Sequence, residues 1–557
     1  MILIAAYWLF LFILTLPLGI VAVNTFKLTA QNPVITVLLG VVLLTCGFTL
    51  TAFLFPLGFT SLLVWSLMSM LSGFYYKAQL KQQLLAFRKS IIELPSYLKI
   101  ITGIFTFAAL LKSAQYPFIL DNESYYIQTI KWLNEYGFVK GLANLHIFFA
   151  QNSAWHVLQA GTNFSFITNK INDINGFVFT LCTIYYLTEG IAFSTGKKVY
   201  WLSFMPVLST FPFLFLDVPS PDLPLLLITP IILHLFIEYS NSNSNFKIAL
   251  LLFIFLVFIK ITIAPLGILF LAGLIKKENI KFALITALPI ALLWIAKNII
   301  ISGLPLYPFP YLSQATNWAI PKSLLDLTTY QTSGYGYKRH GKLLPEGTAM
   351  TVKLLHWIKQ DQLAGIINKL TLVVLLTMPF VILKNNRYRL VYIALVANFL
   401  AILFTSPQFR YFLHITLAAS LFVISALYNY AQTSSTLYKA ITIMGCIIIF
   451  TSFLNSGLPG LTSNKHHQAQ SKIRMQQLLI PEGITKFPDM QFTPLKLGNL
   501  NYYSPKDNFF RYGTSNGPLP CVNSAQIKYM KYKLAIIPQQ RTGNIKDGFY
   551  SAKAAKK

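Results

Sequence analysis

Two acids one residue apart, Asp121 and Glu123, stand just past an apolar run that covers about residues 97–116. They open the stretch LDNESYYIQTIKWLNEYG, which reads as an amphipathic helix lying along a membrane surface. A carboxylate held at a membrane face can take a proton from a hydroxyl nucleophile, and a neighbouring acid can assist it or contact a metal. The competing role for the pair is to cap the helix that begins near Tyr125, with Asp121 at the N-cap and Glu123 at the positive end. Acids are scarce here, with 17 Asp and Glu against 45 Lys and Arg in 557 residues, so each acid merits a chemical reading.

The elements that must position this pair are membrane spans. Hydrophobic residues make up 55% of the chain and charged residues 11%, which excludes an ordinary soluble enzyme. Apolar runs long enough to cross the hydrocarbon recur from Ile2 to about residue 456, and they imply about 12 to 14 membrane segments. The first run has no basic leader and no small-residue cleavage site, so it reads as a retained span. Cys46, Cys182, Cys446 and Cys521 are too scattered for a disulfide framework or a zinc site.

Basic residues orient the spans. Lys77, Lys81, Arg88 and Lys89 mark one cytoplasmic segment and Lys197 with Lys198 a second; Lys276, Lys277 and Lys281 mark a third, and Lys384, Arg387 and Arg389 a fourth. The apolar run between Phe246 and Ile275 has cytoplasmic signals at both ends. It therefore reads as a re-entrant hairpin with its tip near Lys260, broken by Pro265 and Gly267. Segments 117–172 and 303–366 then fall outside the membrane on the far side from the cytoplasm. So do the turns 217–224 and 405–411, and the tail. The side of the N-terminus stays open.

The tail, 457–557, carries 15 Lys and Arg against 4 Asp and Glu. Its turn signals and short alternating segments, such as KYKLAIIPQ (531–539), indicate a small extracytoplasmic α/β or β-rich domain. Its charge suits anionic lipid headgroups or phosphate-bearing glycolipids. No nucleic-acid-binding signature is present.

On this topology the polar groups converge outside. Alongside Asp121 and Glu123 come His146, Asn152, Asp222, Lys260, Trp318 and Arg410. The set suits transfer of a sugar from a lipid phosphate. One carboxylate activates the attacking hydroxyl. Arg410 and Lys260 take up charge on the leaving phosphate. Asn152, Trp318, Trp155 and Tyr307 offer amide and aromatic contacts to a sugar.

Seven islands occur in order along the chain: 120–146, FAQNSAW (149–155), PSPDLP (219–224), FIKITIAPL (258–266), ISGLPLYPFP (301–310), SPQFRY (406–411) and GPLPC (517–521). In this arrangement the chain resembles the C superfamily of membrane glycosyltransferases (GT-C), and more narrowly an uncharacterised family of bacterial polytopic membrane proteins. The resemblance implies a GT-C-like, all-α polytopic fold over residues 1–456. It also implies Asp121 as the base, Lys260 and Arg410 as the cationic groups, and a polyprenyl-phosphate-linked sugar donor. The acceptor would be an envelope glycan, lipid or protein at the outer face of a bacterial inner membrane. The chain departs from that pattern at Gln408, where an acid often stands, and at Tyr126, where a histidine often stands. No cofactor is identified; a divalent metal is compatible with Asp121 and Glu123, although two carboxylates are too few to make a site. A lipid-linked oligosaccharide flippase, an O-antigen polymerase or ligase, and an assembly scaffold are the alternatives.

Overall fold

The computed structural model describes the chain apart from residues 31, 195–197, 214, 239–241, 313–315, 339–341, 383–384, 432–434, 455–473, 507–508 and 555–557, with backbone alone at 435 and 450–454. The expected domain boundary at 456, the basic markers Lys197 and Lys384, and residues 339–341 of loop 303–366 lie outside the described residues.

Among the described residues seven helices are long and apolar enough to cross a membrane: Ile2–Thr25, Pro33–Leu54, Ser96–Ser113, Lys277–Ser302, Gln362–Ile382, Asn386–Thr405 and Phe409–Tyr430. Shorter apolar helices accompany them, at Phe59–Tyr75, Trp201–Phe213, Asn243–Ile259, Ile261–Phe270 and Thr436–Ile449. These are the helices of a multi-pass membrane protein. The first two show how the sequence builds the bundle. Asn32 caps the second helix by accepting from Val34 N–H at 2.9 Å, and Pro33 occupies its first turn, where no N–H is needed. Gly19 and Gly40 then let the two backbones touch. A Cβ on Gly19 would lie 1.8 Å from the Thr36 carbonyl oxygen, and one on Gly40 as close to that of Thr15.

Hydrogen bonds define two ends of the bundle. At one end Leu3 N–H donates to Leu479 and Glu482 N–H donates to Ala114, so the chain's start, the end of helix Ser96–Ser113 and the tail lie together. At the other end Asn24 meets Gln79, Thr29 meets Ser244, and Asn32 meets Glu189. The N-terminus therefore shares the tail's end of the bundle.

The run from Phe246 to Ile275 does fold back on itself. Helix Asn243–Ile259 stops at Lys260, whose backbone is extended, and the return arm is a 3-10 helix, Ile261–Phe270. Phe270 stacks within 5.2 Å of Phe253 and 5.7 Å of Phe246, so the arms run side by side with Lys260 at the tip. Pro265 in the return arm removes a backbone donor, in keeping with its departure from α geometry.

Segment 120–137 is not the surface helix its pattern suggests. It begins with a π turn, Asn122–Tyr126, continues as helix Ile127–Tyr136, and is largely buried beneath the tail. The tail itself holds two antiparallel hairpins. β1 (Phe492–Leu497) pairs with β2 (Leu500–Pro505), and β3 (Ile536–Gln540) with β4 (Phe549–Lys553). Helix Ser524–Leu534 precedes β3, so the expected strand 531–539 is half helix, divided at Ala535 with φ +52°. Apolar residues of the tail, such as Leu500, Val522 and Phe549, join one cluster with Trp132, Leu145 and Leu304 from the two long loops.

Glu123 fastens the tail to this body. Its carboxylate accepts from Thr485 Oγ1 at 2.7 Å and Lys486 N–H at 3.0 Å, while its carbonyl accepts from Thr514 and Ser515 N–H at 2.8 Å. Burial raises the pKa of Glu123, against the lowering pull of those Thr485 and Lys486 hydrogen bonds. Glu123→Ala leaves two buried donors unpaired, a loss of ~1–3 kcal/mol, so proteolytic release of the tail should quicken by about five- to hundredfold. Glu123→Gln keeps an acceptor and should stay near the wild-type rate. A Glu123→Ala protein whose tail is cleaved at the wild-type rate contradicts this role.

Candidate functional site

At the tail's end of the bundle four charged side chains from four separate segments meet. Asp121 ends the connection that follows helix Ser96–Ser113. Asp222 is the first residue of helix Asp222–Glu238, Lys260 is the hairpin tip, and Arg410 is the second residue of helix Phe409–Tyr430. The positive end of a helix welcomes Asp222 but opposes Arg410, so Arg410 needs nearby anions. It has two. Arg410 Nη1 binds Asp121 Oδ2, and its Nε lies 3.9 Å from Asp222 Oδ2. The other Asp222 oxygen binds Lys260 Nζ. The result is a chain of alternating charge, Asp121–Arg410–Asp222–Lys260.

Tyr411 completes it. Lys260 Nζ stands 3.6 Å from the centre of its ring, and Arg410 Nη2 lies 3.4 Å from its hydroxyl. Exposure along the ion chain is uneven: Asp121 is 26% exposed, Arg410 19%, Asp222 4% and Lys260 17%. Asp121 is thus the member most open to solvent.

Aromatic and amide groups line the side of this chain. The π turn stacks Tyr125 and Tyr126 edge to face, and Tyr126 packs 4.6 Å from the ring of His156. Burial and then the Asp121 charge hold the Tyr126 phenol well above its usual pKa, so it remains a proton donor. Tyr125 hydroxyl faces Gln151 Oε1 at 3.4 Å.

The structure therefore brings Asp121, Asp222, Lys260 and Arg410 together in one ion chain, and the other expected residues are not members of it. Asp121 does not cap a helix; its backbone is already helical and its carboxylate engages Arg410. Glu123, expected beside it as helper or metal contact, points into the tail, because a residue two places along a helical turn faces another direction. His146 is fully buried. It accepts from Phe148 N–H through Nδ1 and meets the Tyr512 carbonyl through Nε2 at 3.1 Å, with burial pushing its pKa down to about 4. Trp318 donates to the Ile299 carbonyl and lies between Lys140 and Arg541, which makes it part of the tail's seat. Trp155 donates to Asn175 inside the bundle. Asn152 is buried, and its carbonyl accepts from Lys297.

Tyr411, His156 and Lys297 were not foreseen. A lone lysine inside an apolar helix was the available signal for Lys297. Aromatic and histidine neighbours carry no such mark.

A resident metal does not fit these residues. Among the described residues no three His, Cys, Asp or Glu side chains converge, and both carboxylates of the ion chain already face cations.

No curated protein and no solved structure matches the chain. One family does. Residues 1–417, which include all four members of the ion chain, match a domain of unknown function, DUF8201, and the chain belongs to that family.

Proposed function

We propose that the chain is a GT-C-type membrane glycosyltransferase, moving a sugar from a polyprenyl-phosphate donor to an envelope acceptor at the outer face of a bacterial inner membrane. One observation carries the reading: a carboxylate and two cations share a partly open ion chain at the end of an apolar bundle. A lipid-borne phosphate can reach that place sideways, from the membrane.

The chemistry follows from competition for the cations. A phosphate entering the site takes Arg410 and Lys260, since a phosphate accepts forked donation from a guanidinium. Asp121, the most exposed member, is released from Arg410. Its free carboxylate then takes the proton of the acceptor hydroxyl as that oxygen attacks the anomeric carbon. The anomeric carbon–oxygen bond breaks, and the lipid phosphate leaves with the bonding electrons, its charge held by Arg410 and Lys260. A single displacement inverts the anomeric centre. Asp222 stays buried throughout and keeps both cations in place.

The test is sugar transfer from a panel of labelled polyprenyl-phosphate sugars in proteoliposomes, with an envelope extract as acceptor. Asp121→Asn should cut transfer by ~10²-fold or more through loss of the base. The same variant should bind polyprenyl phosphate up to about fivefold more tightly, because phosphate no longer competes with a partly exposed ion pair worth up to ~1 kcal/mol. Equal transfer by wild type and a folded Asp121→Asn removes the base role. No transfer of any sugar by wild type moves the transporter reading ahead.

Arg410→Lys keeps the charge but loses the planar fork, and transfer should fall by about tenfold, with weaker donor binding. A wild-type rate in that variant contradicts forked phosphate contact.

A further inference from the structure

Among the described residues two lysines are almost wholly buried, Lys112 at 2% exposure and Lys297 at 3%. A cation removed from water needs an anion or a full set of acceptors. Lys112 has its anion, Asp217, at 2.6 Å. Lys297 donates only to the carbonyl of Asn152, and among the described residues no carboxylate pairs with it. An ammonium has three N–H donors, so two remain for something else.

Its surroundings are similarly incomplete. The side-chain oxygen of Asn152 is buried without a donor. The neighbouring residue, Ser153, donates to the Ile259 carbonyl at 2.9 Å, which places this segment directly beside the hairpin tip and Lys260. On the other side, His156 touches Tyr126 of the ion-chain wall. Burial, and then the Lys297 charge, holds His156 down to a pKa of about 3, so the imidazole adds no charge of its own. The ion chain is self-neutralising, two acids against two cations, and Lys297 is the cation left over.

We infer that Lys297 and Asn152 form a second subsite, beside the phosphate position, for an anionic group carried by the sugar itself. The inference rests on the glycosyl-phosphate reading of the ion chain. The ammonium of Lys297 meets the anion, a carboxylate or a second phosphate, and Asn152 Oδ1 accepts from an adjacent sugar hydroxyl. The spare donors and the unpaired acceptor are thereby both satisfied.

The experiment measures binding of glucose 1-phosphate, glucuronic acid 1-phosphate and glucose 1,6-bisphosphate to the full chain in nanodiscs. Wild type should bind at least one of the two dianionic-site probes about tenfold more tightly than glucose 1-phosphate, the worth of one charge-assisted hydrogen bond. Which of the two gains identifies carboxylate or phosphate as the preferred group. Lys297→Met should abolish the difference and leave glucose 1-phosphate binding unchanged. Without ligand, Lys297→Met should melt no lower than wild type, since an unpaired buried cation has been replaced by an apolar chain of similar shape.

Equal binding of all three probes by wild type overturns the inference and leaves the phosphate site standing. So does discrimination that persists in Lys297→Met. A lower melting temperature for ligand-free Lys297→Met makes Lys297 a structural post and also overturns it. If none of the sugar phosphates binds wild type, the phosphate reading of the ion chain falls and the subsite falls with it.

Discussion

Asp222 is the buried anion to which two cations are tied. One carboxylate oxygen holds Lys260 at the hairpin tip, and the other faces Arg410 at the start of helix Phe409–Tyr430. Three elements distant in sequence are fixed against one another by that carboxylate. In an apolar bundle an unpaired lysine or arginine is costly, so the position of Lys260 and of Arg410 depends on it. Asp121 joins last, at the open end, where water screens its pairing with Arg410 more than the inner contacts are screened.

Asp222 is held by burial, and Lys260 by Asp222 and the ring of Tyr411. On the proposed reading, the Asp121–Arg410 contact, whose acid is the most exposed of the four groups, is the one that a membrane-borne phosphate contests. A site that neutralises itself when empty avoids stranding charge in the membrane, yet it presents both cations once Asp121 is displaced. The tail contributes indirectly. By gripping Glu123 it fixes the π turn that carries Asp121 on one side and the Tyr125–Tyr126 wall on the other. A π turn is an uncommon local form, and such turns often accompany functional sites.

What the sequence made legible was governed by scarcity and by charge placement. Lys260 stood out because a lysine interrupts an apolar run whose two ends both carry cytoplasmic signals, and a hairpin is the arrangement that reconciles them. Asp121 stood out because acids are rare in this chain. Glu123 faces the tail and not the side of Asp121, because adjacency in sequence does not survive a helical turn. The tail's partnership with loops 117–172 and 303–366 was not readable, since a shared core such as Trp132 with Phe549 is a long-range fact with no local periodicity. The strand expected at 531–539 failed for a local reason: an alternating pattern over KYKL also fits a short helix, and Asn523 caps one by accepting from Ala525 N–H.

The most direct measurement is a cryo-electron microscopy structure of the full chain in nanodiscs containing polyprenyl phosphate. The expected result is phosphate density bridging Arg410 and Lys260, with the Asp121–Arg410 contact opened and Asp222 still holding both cations. An intact Asp121–Arg410–Asp222–Lys260 chain, with the lipid phosphate bound elsewhere or not at all, would contradict the assignment of this ion chain as the site of phosphate recognition.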